Sequence, residues 1–166
     1  MDTPDALVIG AGPAGLMAAE VLAAAGHSVL IADAMPSPAR KFLMAGKSGL
    51  NLTKDEPLPE FLSHYHPQAA QLNAAVSGFG PQEVITWAEG LGQKVFTGST
   101  GRVFPVAMKA SPLLRTWLAR LAGLGVRLIS RWRWTGWDGE AAVFATPEGE
   151  RHIEAKVTIL ALGGAS

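Results

Sequence analysis

Apolar positions along the chain change their period several times, and the changes mark out its elements. Ala6-Leu7-Val8-Ile9 is a short unbroken apolar run, the pattern of a strand covered on both faces, and Val29-Leu30-Ile31 repeats it. Between them an Ala- and Leu-rich stretch runs to Ala25 and stops at Gly26, which predicts a helix closed by glycine. Leu58 to Phe79 predicts a helix in two pieces, broken by Pro67. Pro81 to Leu91 sets Val84, Ile85, Ala88 and Leu91 at helical spacing, and Lys94 to Thr97 predicts a short strand. From Ala110 to Leu124 a second strong helix carries Leu113, Leu114, Trp117, Leu118 and Leu121 on one face, and Val126 to Ser130 then reads as a strand. Arg131–Trp137, Ala141–Thr146 and Arg151–Val157 are strand-like runs separated by Asp138-Gly139 and Pro147-Glu148-Gly149, which predicts an antiparallel meander. Thr158 to Leu162 is again continuously apolar, as a strand buried on both faces would be. Met35 to Lys54 and Gly101 to Pro105 read as loops.

These elements predict an α/β fold: a Rossmann-like, mostly parallel sheet flanked by helices, with a small meander over about residues 131–157 in place of one crossover. A chain of 166 residues is one domain's worth, residues 1–166, and 48% hydrophobic residues supply its core. Fourteen basic residues balance fourteen acidic ones, so there is no electrostatic footprint for nucleic acid or anionic lipid. The chain has no cysteine, which removes disulfides, thiolate metal ligands and dithiol relays. Any redox role therefore needs a bound cofactor. The start, Met1-Asp2-Thr3-Pro4-Asp5, is acidic where a secretory signal is basic, and Ala14–Ala25 is too short to span a bilayer. The expectation is a cytoplasmic protein without membrane contact.

The chemistry starts at the turn after the first strand. Gly10-Ala11-Gly12-Pro13-Ala14-Gly15 follows an apolar run and opens a helix, and Asp33 stands 18 residues beyond Gly15. That context makes a Gly-x-Gly-x-x-Gly run a dinucleotide-binding fingerprint. Gly10 permits the tight turn, Gly12 lets backbone approach a pyrophosphate, and Gly15 lets the helix pack close to the sheet. Unpaired N–H groups at the helix start, Ala14 among them, attract the anion, and Pro13 suits a position whose N–H would have no intrahelical acceptor. Asp33, with Ala34 beside it, is positioned to accept from a ribose diol and would repel a 2′-phosphate.

A second Gly- and Lys-rich loop carries Arg40, Lys41, Gly46, Lys47, Ser48, Gly49 and Asn51. Gly46-Lys47-Ser48 invites comparison with a P-loop, but that motif needs a glycine where Lys41 stands. The loop is better suited to wrap a pyrophosphate or a flavin edge, with backbone N–H donors at Gly46, Ser48 and Gly49; a solvated basic loop is the alternative. Arg102 faces a flavin or an anionic substrate in one reading. In the other it is solvated while Phe104 packs in the core. Asn51 and Thr53 suit cofactor hydrogen bonds and turn roles equally. His64 and His66 are two apart on a predicted helix and make a poor metal pair, so no metal site is expected. Trp132, Trp134 and Trp137 are read as one packed strand face rather than a base-stacking platform. No catalytic side chain is assigned.

Further motifs carry a family resemblance. The first glycine run resembles the FAD fingerprint of two-dinucleotide-binding-domain flavoproteins. Arg40 through Thr53, Gly101-Arg102-Val103-Phe104-Pro105 with Lys109-Ala110, and Ala161-Leu162-Gly163-Gly164-Ala165-Ser166 resemble motifs of the HI0933-like (BaiN/RdsA-like) flavoproteins, and the resemblance spans the chain. It implies FAD as cofactor, NAD(P)H as electron donor and an unknown small-molecule acceptor, with Gly163 and Gly164 joining the cofactor contacts and the flavin near Gly46 to Thr53. Common members have Gly-Arg-Cys-Asn where this chain has Ser48-Gly49-Leu50-Asn51, so no role of that Arg or Cys carries over. Members also continue through a substrate domain and back into the sheet. The resemblance thus implies the N-terminal part of such a protein, with a C-terminal strand and the substrate domain missing, little independent turnover, and self-association through an exposed sheet edge. Two other readings share part of this pattern: the NAD-binding domain of a simple dehydrogenase, and a folded fragment with weak or no cofactor binding.

Overall fold

The computed structural model describes residues 3–65 and 70–164. In chain order its elements are β1 Ala6–Ile9, α1 Pro13–Ala24, β2 Val29–Asp33, α2 Arg40–Ala45, β3 Thr53–Lys54, α3 Leu58–Ser63, α4 Ala70–Gly78 and α5 Pro81–Gly90. There follow β4 Val95–Thr97, β5 Arg102–Pro105, α6 Ala110–Gly123, β6 Arg127–Ser130, β7 Arg133–Asp138, β8 Ala141–Thr146, β9 Gly149–Ile153 and β10 Val157–Leu160. The chain forms two compact units, residues 1–42 with 118–166, and residues 43–117.

The first unit is the Rossmann-like α/β body. Its sheet has the order β10-β1-β2-β6, with all three pairings parallel. Every residue of β1 is buried, and the two-residue period divides them between two layers. Leu7 and Ile9, with Leu30 and Ala32 of β2, form a core cluster with Trp132, Ala142 and Phe144 of the meander side. Val8 faces the other way, toward α1, where Gly15 lies so close that a Cβ would stand 3.2 Å from the Val8 side chain. Burial of Leu7, Val8 and Ile9 contributes about 1.5–3 kcal/mol each. α1 ends as its sequence predicts: Gly26 takes φ 89° and the His27 N–H returns to the Leu22 carbonyl at 3.1 Å.

From β6 the chain crosses to β10 by way of the meander β7-β8-β9, in place of a helix. Trp134 pairs with Phe144 and Trp137 with Ala142, and a bulge at Thr135-Gly136 separates the two pairs. Strict alternation would put Trp137 on the face opposite Trp134. The extra residue returns it to the same face, and the indoles meet edge to face at 5.7 Å. The single tryptophan face read from sequence is thus present, though Trp137 at its end stays half exposed.

The second unit is built on an antiparallel sheet, order β3-β5-β4, with α3, α4, α5 and the start of α6. α5 is started by Glu83, whose Oε2 accepts the Gly80 N–H at 3.0 Å. Trp87 of α5 meets Trp117 of α6 edge to face at 4.8 Å, and Trp117 is fully buried.

Four expectations are corrected here. Met35 to Lys54 is not all loop, because it contains α2 and β3; both are too short for a period to show in sequence. Gly101 to Pro105 is not a loop either. Arg102–Pro105 is the central strand β5, which Pro105 can end because it needs no further ladder donor. The last meander strand is Gly149–Ile153 and not Arg151–Val157: it starts two residues earlier than the apolar pattern suggests, since its side chains are mostly exposed, and Val157 already belongs to β10. β10 is an edge strand and not one buried on both faces: Val157 and Leu160 each leave about half their surface exposed. The helix pair over Leu58 to Phe79 is present, while its break at Pro67, and His66 beside it, lie outside the described residues.

Candidate functional site

The glycine turn joins β1 to α1, and its three glycines have different reasons to be there. Gly10 has φ 108°, and a Cβ on it would lie 2.3 Å from the Ala161 carbonyl oxygen. Gly15 is packed more tightly still, with a Cβ reaching 1.9 Å from the Gly10 oxygen. The fold requires both. Gly12 has an ordinary φ of −78°, and a Cβ there would meet nothing within 4 Å. Packing and backbone conformation leave Gly12 free to be another residue. What its missing side chain preserves is open space over the start of α1.

That helix start is uncapped. Gly12 is the N-cap, no side chain bonds the first turn, and no acidic residue sits in it. The first intrahelical bond runs from the Leu16 N–H to the Gly12 carbonyl at 2.9 Å, so the Ala14 and Gly15 amides have no intrahelical acceptor. Ala14 is exposed at this positive helix end, which suits an anion.

Asp33 closes the side of the turn. Its Oδ2 accepts the Ala11 N–H at 2.6 Å and its Oδ1 the Met35 N–H at 2.7 Å. The carboxylate therefore pins the glycine loop to the end of β2, a role the sequence reading did not include. Each oxygen keeps a second lone pair, enough for a diol. Ala39 reinforces the loop from the other side: held at φ 54°, it donates its N–H to the Ala11 carbonyl at 2.8 Å. A left-handed alanine leaves no mark in sequence.

Gly10, Gly12, Pro13, Ala14, Asp33, Ala34, Arg40, Lys41 and Gly163 line one open cleft of about 790 Å³. Gly15 supports it from below. Gly164 joins its margin, where its carbonyl accepts from Lys41 Nζ at 3.4 Å. Lining residues that sequence did not nominate are Met35, Ser37, Ala39, the Trp132–Trp134 segment and the Leu160–Leu162 run. The tryptophans had been assigned to packing alone. Trp132 does both, buried in the core and forming part of the cleft wall.

Gly46, Lys47, Ser48, Gly49 and Asn51 belong to the second unit. There the second and third sequence motifs meet. The Leu50 N–H bonds the Met108 carbonyl at 3.1 Å, and the Leu52 N–H bonds the Val103 carbonyl at 2.9 Å. Gly46 abuts the start of α6 so closely that a Cβ would lie 2.6 Å from that of Ala110. Gly49 takes φ 119°. Asn51 is exposed, Thr53 is in β3, and Arg102 is exposed while Phe104 is only half buried. His64 Nε2 lies 3.1 Å from Glu56, whose carboxyl is held below its usual range chiefly by the Lys54 ammonium.

Comparison with known proteins turns this geometry into a family. A model described as the HI0933-like protein Rossmann domain matches residues 4–166. The chain belongs to the HI0933-like family. Solved structures share its fold. The 3-ketosteroid-Δ4-(5α)-dehydrogenase of Rhodococcus jostii aligns with 98% of this HI0933-like chain at 17% identity and a TM-score of 0.69. A flavocytochrome c3 fumarate reductase aligns with 98% at 22% identity and a TM-score of 0.65. An anhydrotetracycline hydroxylase from Streptomyces rimosus aligns with 99% at 20% identity and a TM-score of 0.56. The HI0933-like chain spans 46%, 34% and 32% of those three chains. Among the described residues no helix is long and apolar enough to cross a membrane.

Proposed function

We propose that the first unit binds FAD in the cleft at the glycine turn, and that the chain is the FAD-binding portion of a flavoprotein oxidoreductase using NAD(P)H. The carrying observation is Gly12: a glycine that neither packing nor backbone demands, over an uncapped helix start, in a cleft that Asp33 also lines. Family membership and the likeness to a flavocytochrome and other oxidoreductases support FAD over a plain nicotinamide site.

Each side chain has a task in this reading. The Ala14 amide donates to the pyrophosphate, while Arg40 and Lys41 offset its charge from the cleft wall. Asp33 holds the loop through two amides and accepts the ribose hydroxyls with its remaining lone pairs. Gly163, at φ 78°, lets the chain after β10 turn along the cleft. Bound FAD would supply the redox chemistry, as a carrier of hydride between a reduced nicotinamide and an organic acceptor. The second glycine loop, Gly46 to Asn51, enters this reading on the family resemblance alone.

Gly12→Val tests the placement. The variant is expected to fold with nearly unchanged thermal stability and to lose FAD affinity by at least about a hundredfold, because a branched side chain occupies the space of the pyrophosphate. Equal FAD affinity in a calorimetric titration of the two proteins would remove the pyrophosphate from this turn.

A further inference from the structure

The second unit carries an exposed aromatic face that its own packing does not use. Along β5 the side chains alternate: Val103 and Pro105 point inward and are buried, while Arg102 and Phe104 point outward. β4 sets Phe96 directly opposite Phe104, and the rings stack at 5.9 Å with planes 29° apart. Phe96 nonetheless keeps 42% of its surface exposed.

The rim of this face is kept clear by glycines. A Cβ on Gly98 would stand 3.6 Å from Phe104 Cε2, and one on Gly49 would stand 3.8 Å from Phe104 Cε1 and 2.8 Å from Met108 Cε. Met108 is held in the left-handed region at φ 55°, where a non-glycine residue is strained, by bonds from its N–H to the Pro105 carbonyl and from Leu50 to its own carbonyl. Its methyl end borders the same Gly49 rim as Phe104. The charges around the face are uneven. Lys54, across from Arg102, is paired with Glu56. Among the described residues the Arg102 guanidinium has no hydrogen-bond or ion-pair partner.

We propose that this face binds a flat, fused-ring organic anion. A flat ring system covers Phe96 and Phe104 by offset stacking. Arg102 lies one two-residue step along β5, about 7 Å from Phe104, within reach of a carboxylate on such a ring system. A neutral hydrocarbon would leave the guanidinium unmatched, and a small inorganic anion would leave the rings bare. A protein partner needs about 800 Å² on each side, far more than these four side chains offer.

Fluorescence titration of the full chain with 2-naphthoate, and with neutral 2-naphthalenemethanol, tests the assignment, with FAD binding measured in parallel. The expected results are preference for naphthoate over the alcohol, and about tenfold weaker naphthoate binding in Phe96→Ala and in Arg102→Gln. Arg102→Lys should recover part of the affinity, and Arg102→Gln should abolish the preference for the anion. FAD affinity should not change in any variant. Absent naphthoate binding, or binding indifferent to all three substitutions, would overturn the site. If FAD displaces naphthoate and the variants lose FAD, the face is no separate anion site and the proposal falls. If the unsubstituted chain fails to bind FAD but keeps Arg102-dependent naphthoate binding, the flavoprotein reading falls and the anion site stands.

Discussion

Of the three glycines in the first turn, the fold requires Gly10 and Gly15 but not Gly12. Gly10→Ala forces a Cβ against the Ala161 carbonyl at a φ that alanine resists, and should cost about 2–3 kcal/mol, read as a lowered midpoint in urea unfolding. Gly12→Val should leave that midpoint nearly unmoved while removing cofactor affinity. Sequence supplied the three glycines as one motif with three conventional roles. Only the surroundings show which are bound to the fold. Asp33 was legible as an acid at the end of the second strand, but its bonds to the Ala11 and Met35 amides were not, because they depend on how the loop closes. Elsewhere, Asp5 joins three strand starts through Lys156 and Ser28, and the Lys156 ammonium is the main reason its carboxyl ionises well below the ordinary range. A depressed folded pKa means stability that is complete above the unfolded value of about 3.9 and lost as pH falls below it. Asp5→Asn should therefore flatten the fall in thermal stability between about pH 4 and pH 2, and an unchanged acid limb would show that the cluster contributes nothing.

Long elements announced themselves and short ones did not. α1, α5 and α6 carry enough turns for their apolar stripes and glycine stops to show. On α6 the stripe predicted from Leu113, Leu114, Trp117, Leu118 and Leu121 is the face turned inward, with Leu118 alone only half buried. Trp117→Ala should cost about 3–5 kcal/mol, measured by chemical denaturation, since it empties a fully buried site against Trp87. α2 and β3 have six and two residues, too few to show a period, and β5 follows the turn at residues 98–101 and ends in a proline, which together mimic a loop. β10 deceived for another reason. Its apolar run is real, but a run cannot say how many neighbours a strand has, and this one has β1 alone. The bulge in β7 was equally silent in sequence, although Gly136 at φ 149° marks it once seen.

At the scale of the whole molecule, balanced charge and an apolar sheet edge act together. With 14 basic and 14 acidic residues, little net repulsion keeps copies apart. Val157, Leu160 and Leu162 are each more than half exposed at that edge. Association that grows with concentration is expected in sedimentation velocity, and Leu160→Lys should suppress it, because a charge on an edge strand disfavours pairing. A monomer at every concentration would set the edge aside. The central claim concerns the cleft of the first unit. The direct measurement is to incubate the purified chain with FAD, remove free ligand by gel filtration, and read visible flavin absorbance in the protein peak beside the Gly12→Val variant. Flavin should travel with the unsubstituted chain and not with the variant. A folded chain that emerges colourless, or a variant that carries as much flavin, would contradict the account.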